Sequence, residues 1–188
     1  LALQFSTHYK VGILDADIYG PNQHLIFNVT NQKPKVKTIE GKKIFMPIEV
    51  DNILLNSMGF VIDADKAAIW RGPMLSGAIK QLKNLTQWGD LDYLFVDMPP
   101  GTGDAYLTVA SDIKPDHALL ITTMSKLAVH DTLKSKAMFD RLNIPIIGII
   151  DNMSHSICSK TKNQINEFSP INLEHEIGCD LLGSIPRH

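Results

Sequence analysis

The chain has 188 residues, 44% of them apolar and 20% charged, with a net charge of −2. That length is enough to bury the core of a single α/β domain over 1–188, and the charge balance gives no electrostatic basis for nucleic acid or an anionic membrane as partner. Two cysteines are too few for a disulfide framework, the longest apolar run (IPIIGII, 144–150) is too short to cross a bilayer, and no signal peptide opens the chain, so the reading is a cytoplasmic protein.

In chain order, LALQFSTHYK at 1–10 reads as the last turns of a helix running into the strand VGIL at 11–14. A helix without a beginning, and a first residue other than Met, give the expectation that the chain is a piece of a longer one. ILDADIYGP then places Asp15 and Asp17 just beyond the strand. Ligands of open α/β sheets sit outside the carboxyl ends of the strands, where two acids can meet Mg²⁺ or a water. A lone Asp there would more often cap a turn, but the Asp-x-Asp-x-Tyr-Gly-Pro setting favours a ligand role. Residues 28–50 change rhythm: KPKVKTIEGKKIFMPIEV alternates in period two around Glu40-Gly41, which predicts a small hairpin insertion on the sheet edge.

ILLNS at 53–57 is the next strand. GPMLSGAIKQLKNL follows as a helix with Pro73 near its first turn and Met74, Ala78, Leu82 and Leu85 on one face. YLFV at 93–96 ends in Asp97, an acid placed to hold a Mg²⁺-bound water. Pro99, Pro100, Gly101, Thr102 and Gly103 come next; glycines let backbone N–H groups approach an anion, and Asp104 opens a helix. Such a site normally faces a G-x-x-x-x-G-K-[ST] loop, and none of the 188 residues form one.

ALLIT at 118–122 is a strand. KLAVHDTLKSKAMFDRL is the clearest amphipathic helix, with Leu127, Leu133, Ala137 and Leu142 read as its inner face. PIIGII at 145–150 is a further strand, with Asn152 just past its end; a carboxamide offers the donor and acceptor needed to read an adenine edge. Residues 154–170 read as a mobile polar segment. It holds Cys158, whose C-x-x-C partner position is Thr161, and His155, read as solvent-exposed. Cys179 reads as a small core residue, and Trp70 and Trp88 as packing residues. LLGSI at 181–185 closes the series, with Pro186 placed to approach the same base. Short runs rich in Val, Ile and Leu, alternating with helices, predict a doubly wound, mostly parallel α/β sheet.

VGILDADIYGPN, SMGF, WRGPM, WGDLDYLFVDMPPGTGD, DNMS…C and LLGSIP stand in the order found in Mrp/ApbC-type iron–sulfur cluster carrier ATPases. The chain resembles that family from Leu1 to Pro186; it belongs to a deviant P-loop group that also holds MinD and ParA. The resemblance implies a P-loop NTPase-like sheet, a homodimer, ATP hydrolysis with Mg²⁺, and transfer of a [4Fe–4S] cluster to apo iron–sulfur proteins. It implies Asp17 as the acid orienting the attacking water, Asp15 in support of the Mg²⁺ shell, and Asp97 holding Mg²⁺ through water. Gly101 would sense the γ-phosphate, Asn152 would contact adenine, and Cys158 would be the first cysteine of the cluster pair. The family's phosphate loop would fall just before Leu1, and Thr161 stands in place of the second cysteine. The 188 residues alone are therefore expected to be inactive, with a non-enzymatic remnant or a MinD/ParA-like positioning ATPase as alternatives.

Overall fold

Strand β1, Val11–Asp15, is buried at every residue, as a strand covered on both faces must be. It pairs in parallel with β5 (Ile53–Ser57) and β6 (Tyr93–Asp97), placing Asp15 opposite both Ser57 and Asp97. The computed structural model describes residues 1–61, 72–101, 103–158, 160–161, 163–166 and 171–187. They form two compact units, Leu1–Ile113 and Lys114–His188. Trp70 and Thr102 lie outside the described residues, as does the side chain of Asp104.

In the first unit the strand order is β4-β5-β1-β6, with β4 (Ile48–Val50) antiparallel to β5 at the edge. On one face Leu14, Ala16 and Met58 of α3 (Met58–Val61) pack with Leu75, Ala78, Ile79 and Leu82 of helix α4 (Gly72–Asn84) and with Val109 and Ile113 of α5 (Asp104–Ile113). On the other, Val11, Ile13, Ile53 and Leu55 pack with Phe5 of α1 (Ala2–Phe5) and with Phe27. Each fully buried Ile or Leu contributes about 1.5–3 kcal/mol, so this two-faced packing fixes β1. Gly12 leaves no room for a side chain: a Cβ there would meet Leu91, Leu94 and Trp88 at 2.6–3.1 Å. Trp88 packs as expected, with its indole N–H donating to the Lys83 carbonyl.

The hairpin of β2 (Lys35–Ile39) and β3 (Lys42–Met46) turns at Glu40-Gly41, both left-handed, with φ of 50° and 77°. A two-residue turn of this kind matches strand twist. Phe45 hydrogen-bonds to Leu85 and Gln87 just past α4. Helix α4 buries Ala78 and Leu82 as expected, while Leu85 is half-buried and Met74 falls outside the face. Leu75, Ala78, Ile79 and Leu82 point inward, whereas Met74 is 55% exposed; the buried positions follow an i, i+3, i+4, i+7 stripe that leaves Met74 outside it.

The second unit has the parallel order β10-β8-β7, with β7 Ala118–Thr122, β8 Ile146–Ile157 and β10 Leu181–Arg187. Helix α6, Lys126–Arg141, buries Val129, Thr132 and Phe139. Leu127, Leu133 and Ala137 are exposed and Leu142 is half-buried, so the leucine face read from the sequence is not the buried one. The Thr132 hydroxyl lies 2.9 Å from that of Thr122 on β7 and 2.8 Å from the Ala128 carbonyl, satisfying a polar group on the buried side. Strand β8 runs seven residues beyond its expected end. Pairing with β10 continues to Ser156 across a register shift, and the two-residue strand β9 (Gln164–Ile165) closes a hairpin on it. Asn152 is thus inside a strand, and the part of 154–170 that is described folds back as that hairpin. Cys179 is half-buried rather than a core residue. It follows α7 (Leu173–Ile177), which ends at Gly178 in the left-handed cap conformation.

Candidate functional site

The first unit gathers its acids at one end of the sheet. Asp15 is completely buried, and four donors converge on it. Oδ2 accepts from the Ser57 hydroxyl at 2.8 Å and from the N–H groups of Asn22 and Gln23 at 3.2 Å each. Oδ1 accepts from the Asp17 N–H at 3.2 Å. The parallel register forces this meeting, because Asp15 and Ser57 are Cα partners. Burial raises the Asp15 pKa above the ordinary carboxylate value, opposed by the bonds from Ser57, Gln23 and Asp17, while the charge of Asp97 adds to the rise.

Asp17 is buried beneath its own turn and accepts from the N–H groups of Tyr19 and Gly20 at 3.0 and 3.1 Å. Such an Asx-type arrangement is the local reason for an Asp before Tyr-Gly-Pro. Gln23 begins the short helix α2, Gln23–Ile26. Its carboxamide donates to Asp97 Oδ2 at 2.6 Å, while the Ala16 N–H donates to the Asp97 carbonyl at 2.9 Å. Asp97 Oδ1 has no hydrogen bond among the described residues. Gly101, exposed with φ of 81°, occupies backbone space that favours glycine.

Asp15, Asp17 and Asp97 are therefore brought together. Two partners were missed in the sequence, Ser57 and Gln23. Ser57 sits at the end of a strand, a position that marks it; Gln23 sits in an ordinary polar stretch and carries no signal. Asp15 accepts from protein donors on both oxygens and so shapes the 17–23 loop, whereas among the described residues the bonds to Asp17 fall on Oδ1 and that to Asp97 on Oδ2, which leaves each of those two acids an oxygen to spare.

In the second unit Asn152 is half-buried opposite Ile185 of β10. Pro186 lies on that edge strand, where the missing N–H is tolerated. The Cys158 N–H donates to the Asn163 carbonyl at 2.9 Å. Its thiol pKa is lowered, chiefly by the Thr161 hydroxyl and then by the N–H groups of Thr161 and Lys160. His155 is half-buried, not free in solvent, with Nδ1 2.8 Å from the Ser154 hydroxyl. Asp151, next to Asn152, is completely buried; burial raises its pKa, with His155 pulling the other way. Among the described residues no three His, Cys, Asp or Glu side chains group to hold a metal, and no helix is long and apolar enough to cross a membrane.

Comparison with known proteins supplies the context. A family profile described as ParA, NUBPL iron-transfer P-loop NTPase matches residues 1–188. The iron–sulfur cluster carrier protein of Pseudomonas fragi is 41% identical over 181 residues, covering 94% of this chain and 62% of that protein. Its namesake in Escherichia coli K12 is 41% identical over 182 residues, 95% of this chain and 48% of that one. The chain thus spans about half the length of such curated relatives. A nucleotide-binding protein from Archaeoglobus fulgidus, solved in complex with ADP and with Co, superposes with a TM-score of 0.81 at 28% identity, over 98% of this chain and 72% of that one. The cell division ATPase MinD of Pyrococcus furiosus superposes at 0.67 with 20% identity, over 98% and 74%, a likeness of fold alone.

Proposed function

We propose, for a chain that belongs to the NUBPL iron-transfer P-loop NTPase family, that it is the acid-bearing portion of an ATP-dependent iron–sulfur cluster carrier. In this reading the whole protein works as a homodimer. It binds and hydrolyses ATP with Mg²⁺ and passes a [4Fe–4S] cluster to apo-proteins.

The observation that carries the reading is the arrangement of Asp15, Asp17, Gln23 and Asp97 at the ends of two paired strands. Asp97 fits a hydrated Mg²⁺: Gln23 occupies Oδ2 and leaves Oδ1 for a metal-bound water. When bound, the ion neutralises charge on the phosphates. Asp15 holds the 17–23 loop rather than the metal. Asp17, seated on that loop, orients the attacking water. By resemblance to the family, the Gly101 N–H is assigned to the γ-phosphate, and Asn152 and Pro186 to the adenine. Cys158 supplies a cluster thiolate, its lowered pKa favouring the ligating form. The reading also requires a lysine-bearing phosphate loop, and these 188 residues contain no G-x-x-x-x-G-K-[ST] run. We therefore assign activity to a chain that carries the loop, located in the cytoplasm.

The test is a titration with a fluorescent ADP analogue and Mg²⁺, on the 188 residues and on a version extended by a family phosphate loop. The extended protein is expected to bind and hydrolyse, and the shorter one to do neither. Asp17→Ala in the extended protein should keep nucleotide affinity within a few-fold and lose turnover. Hydrolysis at the parent rate in that variant would remove Asp17 from its role. An extended protein that binds no nucleotide would end the ATPase reading.

A further inference from the structure

The hairpin of β2 and β3 concentrates charge that the chain as a whole does not carry. Residues 33–43 hold five lysines, Lys33, Lys35, Lys37, Lys42 and Lys43, against one acid, Glu40, a net of +4 in a chain of net −2. All five lysines are exposed, as is every residue of β2. None of the five pairs with a carboxylate among the described residues. Like charges crowded on one short ribbon repel, and opposite charge brought alongside relieves them.

The backbone marks where that charge is received. Strand β2 pairs with β3 alone, with Val36 opposite Phe45 and Thr38 opposite Lys43. Phe45 turns both its backbone groups away from β2: its N–H donates to the Leu85 carbonyl at 2.7 Å, and its carbonyl accepts from the Gln87 N–H at 2.9 Å. In an antiparallel ladder both residues of such a pair face outward, and so do the residues two positions along. Val36 and Thr38 therefore turn their N–H and C=O groups to the opposite edge of the hairpin, where no described residue meets them. Side chains alternate along this open edge, with Lys35 and Lys37 on one face and Val36, 52% exposed, on the other.

We propose that β2 is a docking edge for an acidic, extended segment of a partner protein. The segment adds as a third strand, its main chain bonding to Val36 and Thr38. Carboxylates at alternate positions stand beside Lys35 and Lys37, with an apolar side chain between them beside Val36. Lysines on an open edge keep neutral and basic strands off, so they select the partner as well as hold it. A second copy of this hairpin does not fit, because lysine would stand against lysine. A peptide fits better than nucleic acid. The edge offers main-chain groups that a strand satisfies, and the one aromatic ring of the hairpin, Phe45, is half-buried and gives no stacking platform. The edge uses none of the residues assigned above to nucleotide, Mg²⁺ or cluster.

The probe is a short fluorescent peptide alternating Glu and Val, titrated into the protein and followed by anisotropy. Saturable binding is expected, weakened by added salt and lowered about tenfold by the joint change Lys35→Glu and Lys37→Glu. Val36→Pro removes an N–H that the hairpin itself does not use, a change that edge strands tolerate; it too should weaken binding about tenfold. Methylating the backbone nitrogens of the peptide should do the same on the parent protein. No saturable binding would overturn the proposal, as would binding indifferent to the lysine changes. Binding indifferent to Val36→Pro or to peptide methylation would mean charge attraction without strand addition, and would overturn it as well. So would tighter binding of a single-stranded oligonucleotide than of the peptide. If Val36→Pro does not fold by circular dichroism, the methylated peptide decides on the parent protein.

Discussion

Replacing Asp15 with alanine removes the acceptor of four hydrogen bonds at once, three from backbone N–H groups and one from the Ser57 hydroxyl. A buried donor left unpaired costs about 1–3 kcal/mol. The backbone bonds are 3.2 Å long, which places them at the low end, and the Ser57 hydroxyl can rotate toward another acceptor. Against this stands relief from burying a carboxylate whose charge the site disfavours. The net expectation is a loss of about 3 kcal/mol. Asp17→Ala frees only two donors, at the edge of the same loop, and should cost about 1 kcal/mol. Urea unfolding at pH 7, followed by far-ultraviolet circular dichroism, measures both. Hydrogen exchange then reports where the damage lies: the amides of Asp17, Asn22 and Gln23 should speed up in Asp15→Ala. If Asp15→Ala costs no more than Asp17→Ala, or the amides of Asn22 and Gln23 keep their protection, Asp15 does not organise the loop.

Asp151 should reveal itself through pH. Its folded pKa is raised above the unfolded value of 3.8, so the native state binds more protons within that window and stability falls as pH rises through it. Asp151→Asn should therefore stabilise the protein by about 1 kcal/mol at pH 7, with the gain vanishing below pH 3.8; a gain independent of pH would contradict a buried, unpaired carboxylate. Gly148, with φ of 148° and room for a Cβ only 2.7 Å from the Asp180 carbonyl oxygen, should lose about 2–4 kcal/mol on change to alanine. Gly12→Ala meets side chains only, the ends of Leu91 and Leu94 and the ring of Trp88, and should lose about 1–2 kcal/mol; the reverse order in thermal melts would refute the distinction. Thr161→Cys restores C-x-x-C spacing with Cys158 and should raise iron retained after anaerobic reconstitution, an increase that fails to appear if the cluster alignment is wrong.

The strands were legible because short runs rich in Val, Ile and Leu stand out in composition: VGILD and ILLNS are buried almost throughout, as covered strands are, and YLFVD and ALLIT share the composition although Tyr93 and Ile121 are exposed. Helix faces were harder. In α6 a threonine is buried by pairing with Thr122 while Leu127 is 79% exposed, so hydropathy alone chose the wrong stripe. The end of β8 was misplaced because Asn152 and Ser156, both polar, pair with β10 through the backbone, which side-chain type does not record. At the site, acids at strand ends stood out, whereas Gln23 did not. Its partner is 74 residues away, and nothing local distinguishes it from any exposed glutamine. Asp151 carried even less signal, since what marks it is the absence of a partner in space.

The register of β1 also has a consequence for the order of folding. The Glu40-Gly41 hairpin closes over neighbouring residues and needs no other part of the chain, so it can form in about 1–10 μs. The acid cluster has no such local route. Ser57 reaches Asp15 across 42 residues, and Gln23 reaches Asp97 across 74, so loop-closure entropy is spent before either bond forms. Docking of β6 on β1 then brings Asp97 alongside Asp15. The groups that make up the site are consequently assembled by the slow, long-range step of folding, and a newly synthesised chain acquires its paired acids only once β6 has emerged and found β1.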